Sequence, residues 1–313
     1  MSWTDAAIPN LAGRRAIVTG ANSGIGYWIA LQLAAHGATV VLACRNMERG
    51  DDARRRLRDL VPRADAAVAP LDLADLQSVR AFVETELARD GGLDLLVNNA
   101  GLGWMPRTTT KDGFELQLGT NHLGHFALTG RLLPRLLLRP DARVVTVGSG
   151  SARGARIDFD DLQSERTYGR GRAYGRSKLA NLLFATELAR RAEASSTSLR
   201  SVAAHPGFAA TNIAAGAVGP RWLQALAVAV TAWFGQPAEQ GAWPILYAAT
   251  SEAARNGGYY GPQGRGGGRG EPGPCPLPRE ALDVEAAARL WTLSEELTGV
   301  HLELPAADSQ RKA

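Results

Sequence analysis

Three glycines fall within the eight residues Thr19-Gly20-Ala21-Asn22-Ser23-Gly24-Ile25-Gly26, and where they fall constrains the fold more than any other feature. A short β-rich run, Arg15 to Thr19, leads into them, and a helical pattern from about Ile25 to His36 leads out, ended by Gly37. A turn without Cβ atoms lets backbone pass close to a pyrophosphate. The helix that follows offers unpaired N–H groups and a positive dipole end to the phosphates. Gly20, Asn22, Ser23, Gly24, Ile25 and Gly26 are therefore candidate cofactor contacts.

The same alternation of strand and helix continues along the first half, as in a parallel sheet with crossover helices. Strands are expected at Thr39 to Ala43, Ala66 to Leu71, Leu93 to Asn98, Arg143 to Val147 and Leu199 to Ala204. Helices are expected at about Met47 to Leu60, Leu76 to Asp90, Phe114 to Leu138 (one long helix), Tyr174 to Ala194 and Val284 to Leu297. The apolar strands imply cover on both faces. The fold class is α/β: a doubly wound parallel sheet with helices on both faces, the Rossmann fold, as one domain over residues 1–313. Substrate-loop regions are expected at about 151–173, 208–240 and 257–280. The stretch Gly257 to Pro278, rich in Gly and Pro, reads as an irregular loop.

Composition narrows the function. Lys and Arg number 35 against 31 Asp and Glu, and the basic residues are scattered among acidic ones, so no nucleic-acid partner is expected. Cys44 and Cys275 have no CxxC spacing, and no His or acidic trio has ligand spacing, so neither a disulfide framework nor a metal is expected. No signal peptide is evident, and a cytoplasmic setting is the simplest. Trp222 to Phe234 is too short to span a bilayer and is broken by Gln224 and Thr231, so no membrane anchor is expected. Homo-oligomerisation is left open.

Four further residues, Arg45, Ser149, Tyr174 and Lys178, are candidates for chemistry. A carboxylate at the end of the second strand would favour NAD by accepting from the ribose 2′-OH. That place holds Cys44 and Arg45, and an arginine pairs with a 2′-phosphate, so NADP(H) is favoured. Tyr174 and Lys178 are four apart and share a helix face, where an ammonium would lower the phenol pKa. Ser149 follows the fifth strand, where a hydroxyl can meet a substrate oxygen at the carboxyl edge of the sheet.

The GxxxGxG spacing, with Asn98-Asn99-Ala100-Gly101 after the fourth strand, resembles the short-chain dehydrogenase/reductase family. The resemblance covers about Gly13 to Val300. It implies a catalytic tetrad of Asn121, Ser149, Tyr174 and Lys178. Ser149 would polarise the carbonyl or alcohol, Tyr174 would transfer the proton, and Lys178 would tune Tyr174 and hold the nicotinamide ribose. Asn121 would support a proton-relay water. The resemblance further implies cofactor contacts at Asp72 and Leu73 (adenine), Asn99, Pro206 and Thr211, with Tyr174 and Lys178 serving both roles. His122, His125 and His205 read as structural.

Ser149 and Tyr174 are 25 residues apart, longer than the family's usual spacing, and Ser151 is a rival for the serine role. The intervening Ile157-Asp158-Phe159-Asp160-Asp161-Leu162, with Leu42-Ala43-Cys44-Arg45-Asn46 and the run Tyr174 to Phe184, resembles the retinol-dehydrogenase-like branch. The implied activity is carbonyl reduction or alcohol oxidation on a bulky lipophilic substrate, retinoid-, steroid- or polyketide-like. Trp104, Trp222, Trp233, Phe234 and Trp243 supply apolar area for it. Reduction of an activated C=C bond and a non-catalytic NADP-binding sensor are the alternatives.

Overall fold

Runs such as Ala16-Ile17-Val18 and Val40-Val41-Leu42 are apolar at every position, and such strands are stable only where both faces are covered. The computed structural model, which describes residues 3–208 and 236–305, places them in the middle of one sheet. Its strands are β1 (Arg15–Thr19), β2 (Thr39–Cys44), β3 (Ala66–Pro70), β4 (Leu95–Asn98), β5 (Arg143–Val147), β6 (Arg200–Ala204), β7 (Tyr259–Pro262) and β8 (Pro272–Pro274). Their order is β3-β2-β1-β4-β5-β6-β7-β8. All neighbours pair in parallel except β7 and β8. The order reverses at β1, which lies between β2 and β4, and a crevice opens at the carboxyl ends of strands at such a point.

The helices are α1 (Gly24–Ala35), α2 (Met47–Leu60), α3 (Leu76–Leu87), the single turn α4 (Leu116–Leu118), α5 (Gly124–Leu136), α6 (Arg170–Ala194), α7 (Ala238–Thr250) and α8 (Val284–Thr298). Local chemistry starts several of them. Asn46 accepts from Arg49 N–H ahead of α2, Asp75 from Gln77 and Ser78 N–H ahead of α3, and Asp283 from Ala286 N–H ahead of α8. Gly299, at φ +62°, ends α8. One core packs α1 and α7 on the sheet through Ile29, Leu33, Leu42 and Ile245. The other face gathers Val79, Phe126, Leu132, Phe184 and Trp291. Trp291 of α8 stacks on Phe184 (centroids 5.9 Å) and meets the edge of Phe126 (5.3 Å), while the Arg191 guanidinium lies 4.3 Å over its ring. Among the described residues no helix is long and apolar enough to cross a membrane.

The structure departs from the sequence expectations in three places. The helix expected over 114–138 starts at Leu116 and passes through a π-helical turn, Gly119–Leu123, before α5. Close packing surrounds that turn. A Cβ on Gly119 would lie 2.5 Å from Thr110 Cγ2, and one on Gly124 would lie 2.3 Å from the Leu73 carbonyl. Helix α6 begins a turn before Tyr174, at Arg170. The supposed irregular loop after Gly257 contains β7 and β8. Tyr-Tyr-Gly-Pro and Pro-Gly-Pro carry little β signal, and proline is tolerated near a sheet edge. Trp222 to Phe234 lies outside the described residues.

Trp291 is 2% exposed and joins α8 to α5 and α6, so Trp291→Ala should lower the unfolding free energy by about 3–5 kcal/mol. Urea denaturation checks this; an unchanged midpoint would show that α8 is not part of the core.

Candidate active site

The turn between β1 and α1 bends through two left-handed glycines, Gly20 (φ +66°) and Gly24 (φ +56°). It is pressed against the loop after β4. A Cβ on Gly20 would lie 3.0 Å from Ala100 Cα, and one on Gly26 would lie 2.5 Å from both Asn99 Nδ2 and Gly20 O. At Gly24 a Cβ would meet nothing within 4 Å, so the turn is open on that side. Ser23 makes no side-chain cap to α1, in contrast to Asn46, Asp75 and Asp283 at the helices above. The start of α1 thus presents backbone donors unclaimed by a side chain, which suits a phosphate.

Thr19, the last residue of β1, ties the two loops together. Its buried Oγ1 accepts from the N–H groups of Asn99 and Ala100, both at 2.9 Å, while Asn99 Nδ2 donates to Thr19 O at 2.7 Å. At the end of β2, Arg45 is exposed and makes no hydrogen bond or ion pair with the described residues. Burial pushes the adjacent Cys44 thiol up to about 11, so it is inert as a nucleophile at neutral pH. Asp72 Oδ1 accepts from Ala74 N–H at 3.0 Å, and Leu73 is buried against Gly124. The donor set fits a dinucleotide with a 2′-phosphate: glycines where backbone must approach, an uncapped helix start, and a cation without a carboxylate at the strand end.

Asn121, Ser149, Tyr174 and Lys178 converge at the carboxyl ends of β4 and β5. The Tyr174 side chain is 5% exposed, and Ser149 lies close enough to act on its phenol. Ser151 is exposed and donates its backbone N–H to Ser149 Oγ at 3.2 Å. Lys178 is 3% exposed and donates from Nζ to Val147 O at 2.9 Å. A Cβ on Gly101 would lie 3.5 Å from that Nζ and 3.2 Å from Asn121 Oδ1, which places the three together. Asn121 Oδ1 accepts from Leu102 N–H at 2.9 Å, and its Nδ2 donates to Leu102 O (2.8 Å) and Ser177 Oγ (2.9 Å). Ser177 Oγ donates in turn to Tyr174 O at 2.8 Å.

The electrostatics correct one expectation. Burial raises the Tyr174 phenol above its usual range, and the Ser149 side chain opposes this without overcoming it. Burial also lowers the Lys178 ammonium to about 8. Desolvation therefore wins over pairing, and Tyr174 is protonated at neutral pH.

Pro206 O accepts from Gln236 Nε2 at 2.8 Å, and His205 Nδ1 accepts from Gly207 N–H at 3.2 Å. Thr211 lies outside the described residues. The segment between Ser149 and Tyr174 is fastened to the 105–117 stretch: Tyr168 O–H donates to Met105 O (2.8 Å), Gln117 Nε2 to Tyr168 Oη (2.9 Å) and Arg107 Nε to Ser164 O (2.9 Å). Trp104, at φ +60° and 47% exposed, packs over Gly171, where a Cβ would lie 2.9 Å from its ring. Phe208 is 70% exposed. Sequence reasoning missed Thr19, Ser177 and the Tyr168 attachment, whose partners are distant in the chain. A hydroxyl residue ending β1 beside a glycine turn was the only local signal.

A doubly wound sheet with a glycine turn at its switch point and a Ser-Tyr-Lys group beside it defines a nucleotide-dependent oxidoreductase class. Residues 14–219 match the family model described as short chain dehydrogenase. Human retinol dehydrogenase 12 is 40% identical over 295 residues, covering 94% of this chain and 89% of that relative. Mouse retinol dehydrogenase 11 is 43% identical over 298 residues, with the same coverage. A solved structure of an uncharacterized protein from Mycobacterium Paratuberculosis is 42% identical, with TM-score 0.81, over 97% of this chain and all of that one. A short chain dehydrogenase from Shigella flexneri, solved with NADP, shares the fold with TM-score 0.60 at 23% identity, over 79% of this chain and 96% of its own. The chain belongs to the short-chain dehydrogenase/reductase family and is retinol-dehydrogenase-like within it.

His122 and His125 are each 2% exposed, and burial lowers them to about 3 and about 4. Both are neutral in the folded protein, whereas in the unfolded chain each takes up a proton below about pH 6.5. Stability should therefore be level above that pH and fall as pH drops from about 6.5 towards 4, by up to about 1.4 kcal/mol per pH unit for each histidine. Urea titrations at several pH values check this. His122→Gln should flatten the slope, and an unaltered slope would contradict the assignment.

Proposed function

We propose that this chain is an NADP(H)-dependent oxidoreductase that interconverts a carbonyl and an alcohol on a bulky lipophilic substrate. The observation that carries the reading is buried Tyr174 beside Ser149, with buried Lys178 one helical turn on and held to Val147 O at the carboxyl end of β5. Gly20, Asn22, Ser23, Gly24, Ile25 and Gly26 would hold the pyrophosphate, with Asn99 backing the turn. Arg45 would pair with the 2′-phosphate. Asp72 and Leu73 would border the adenine, and Pro206 and Thr211 the nicotinamide. A nicotinamide coenzyme bound there supplies or accepts the hydride.

The protein's own groups handle the oxygen. Ser149 positions the substrate oxygen, and Tyr174, protonated at neutral pH, is in the form that donates to a carbonyl. Lys178, lowered by burial to about 8, can exchange a proton near neutral pH. Asn121 holds Leu102 and Ser177, keeping the loop after β4 and the start of α6 at a set separation. The exposed aromatic surfaces of Trp104 and Phe208 favour an apolar substrate, in keeping with relatives named for retinol, a lipophilic alcohol.

Tyr174→Phe should lower turnover by about 10²–10⁴-fold, the usual weight of a positioned proton donor, and far more than it lowers NADPH affinity. NADPH consumption over a panel of lipophilic ketones and aldehydes measures both proteins. Undiminished turnover in the variant would remove Tyr174 from the reaction. No consumption by the native protein on any member would leave the substrate class unsupported.

A further inference from the structure

We propose that His125 is a positioning residue of the coenzyme site: its imidazole sets the orientation of the Thr19 hydroxyl that pins the Asn99–Ala100 loop to the glycine turn. The inference rests on reading that turn as a dinucleotide cradle, but its geometry stands independently. His125 is 2% exposed in the first turn of α5. Its Nδ1 lies 2.9 Å from Asn121 O and its Nε2 lies 2.9 Å from Thr19 Oγ1. A carbonyl only accepts, so Nδ1 carries the hydrogen. Burial and the nearby Lys178 charge keep the ring neutral, so Nε2 is an acceptor, and Thr19 O–H donates to it.

That assignment uses the whole capacity of one hydroxyl. Its hydrogen goes to His125, and its two lone pairs receive the N–H groups of Asn99 and Ala100. Among the described residues the hydroxyl's other acceptor is Val97 O, at 3.3 Å. Without the imidazole the hydrogen would turn towards Val97 O and swing the lone pairs away from the two amides. The second arm of the ring reaches the π-helical turn that carries Asn121, so one side chain joins the glycine turn, the loop after β4 and the tetrad asparagine.

The two arms can be cut separately, because an asparagine amide reproduces a group near Nδ1 and a glutamine amide one near Nε2. In ligand-free protein, His125→Asn should speed hydrogen exchange at the Asn99 and Ala100 amides about tenfold, the scale of one lost hydrogen bond. It should weaken NADPH binding by a similar factor and raise the KM for NADPH more than it lowers kcat. His125→Gln should restore both exchange and affinity to within about threefold of native. Thr19→Val should reproduce the losses, Thr19→Ser should not, and adding Thr19→Val to His125→Asn should cost little more than either alone. Unchanged amide exchange in His125→Asn, or equal behaviour of the Asn and Gln variants, would overturn the proposal. If the Asn variant does not fold, the Thr19→Ser and Thr19→Val pair decides: equal NADPH affinity in those two would overturn it. Native protein that shows the exchange pattern but binds no NADPH would refute the cradle reading and leave the His125 geometry standing.

Discussion

The distance between two loops governs everything at the carboxyl edge of this sheet. Gly20 and Gly26 allow the β1–α1 turn to touch the loop after β4, and Thr19 holds it there with one hydroxyl and one carbonyl. Any side chain at Gly26 would collide with Asn99 Nδ2 and the Gly20 carbonyl. The order of the strands makes this contact possible, since β1 and β4 are neighbours although two strands and three helices separate them in the chain. Gly101, at the far end of the same loop, leaves room for Lys178 Nζ beside Asn121. The glycine turn and the Asn121 and Lys178 side chains thereby meet one short segment.

Burial sets the protonation chemistry more than pairing does. Tyr174, Lys178, His122 and His125 are all driven towards their neutral forms by desolvation, the expected direction for acids and bases removed from water. A neutral phenol suits proton delivery, and a neutral His125 can accept the Thr19 hydrogen. Lys178 rests on the Val147 carbonyl rather than on a counter-ion, which leaves it close to titration at neutral pH.

Local patterns made much of this legible in the sequence. The Gly20 to Gly26 turn, the apolar strands and the four-residue spacing of Tyr174 and Lys178 depend on neighbours in the chain, and the structure places them as their spacing implies. The π-helical turn at Asn121 was not legible, because its packing comes from Thr110 and Leu73, distant in sequence. Strands β7 and β8 were hidden by glycine and proline, and exist because β6 offers an edge to pair with. Tyr174 and Lys178 share one helix as their spacing implies, whereas the burial that raises the phenol cannot be read from spacing. The attachment of Tyr168 to Met105 and Gln117 is equally a matter of tertiary contact.

The most direct test of a cradle for a 2′-phosphorylated dinucleotide is calorimetric titration of the purified protein with NADPH and with NADH. Arg45 at the end of β2 predicts that NADPH binds about tenfold or more tightly, the order of one charge-assisted contact, and that Arg45→Ala removes most of the difference. Binding of neither coenzyme, or a preference for NADH, would contradict the account.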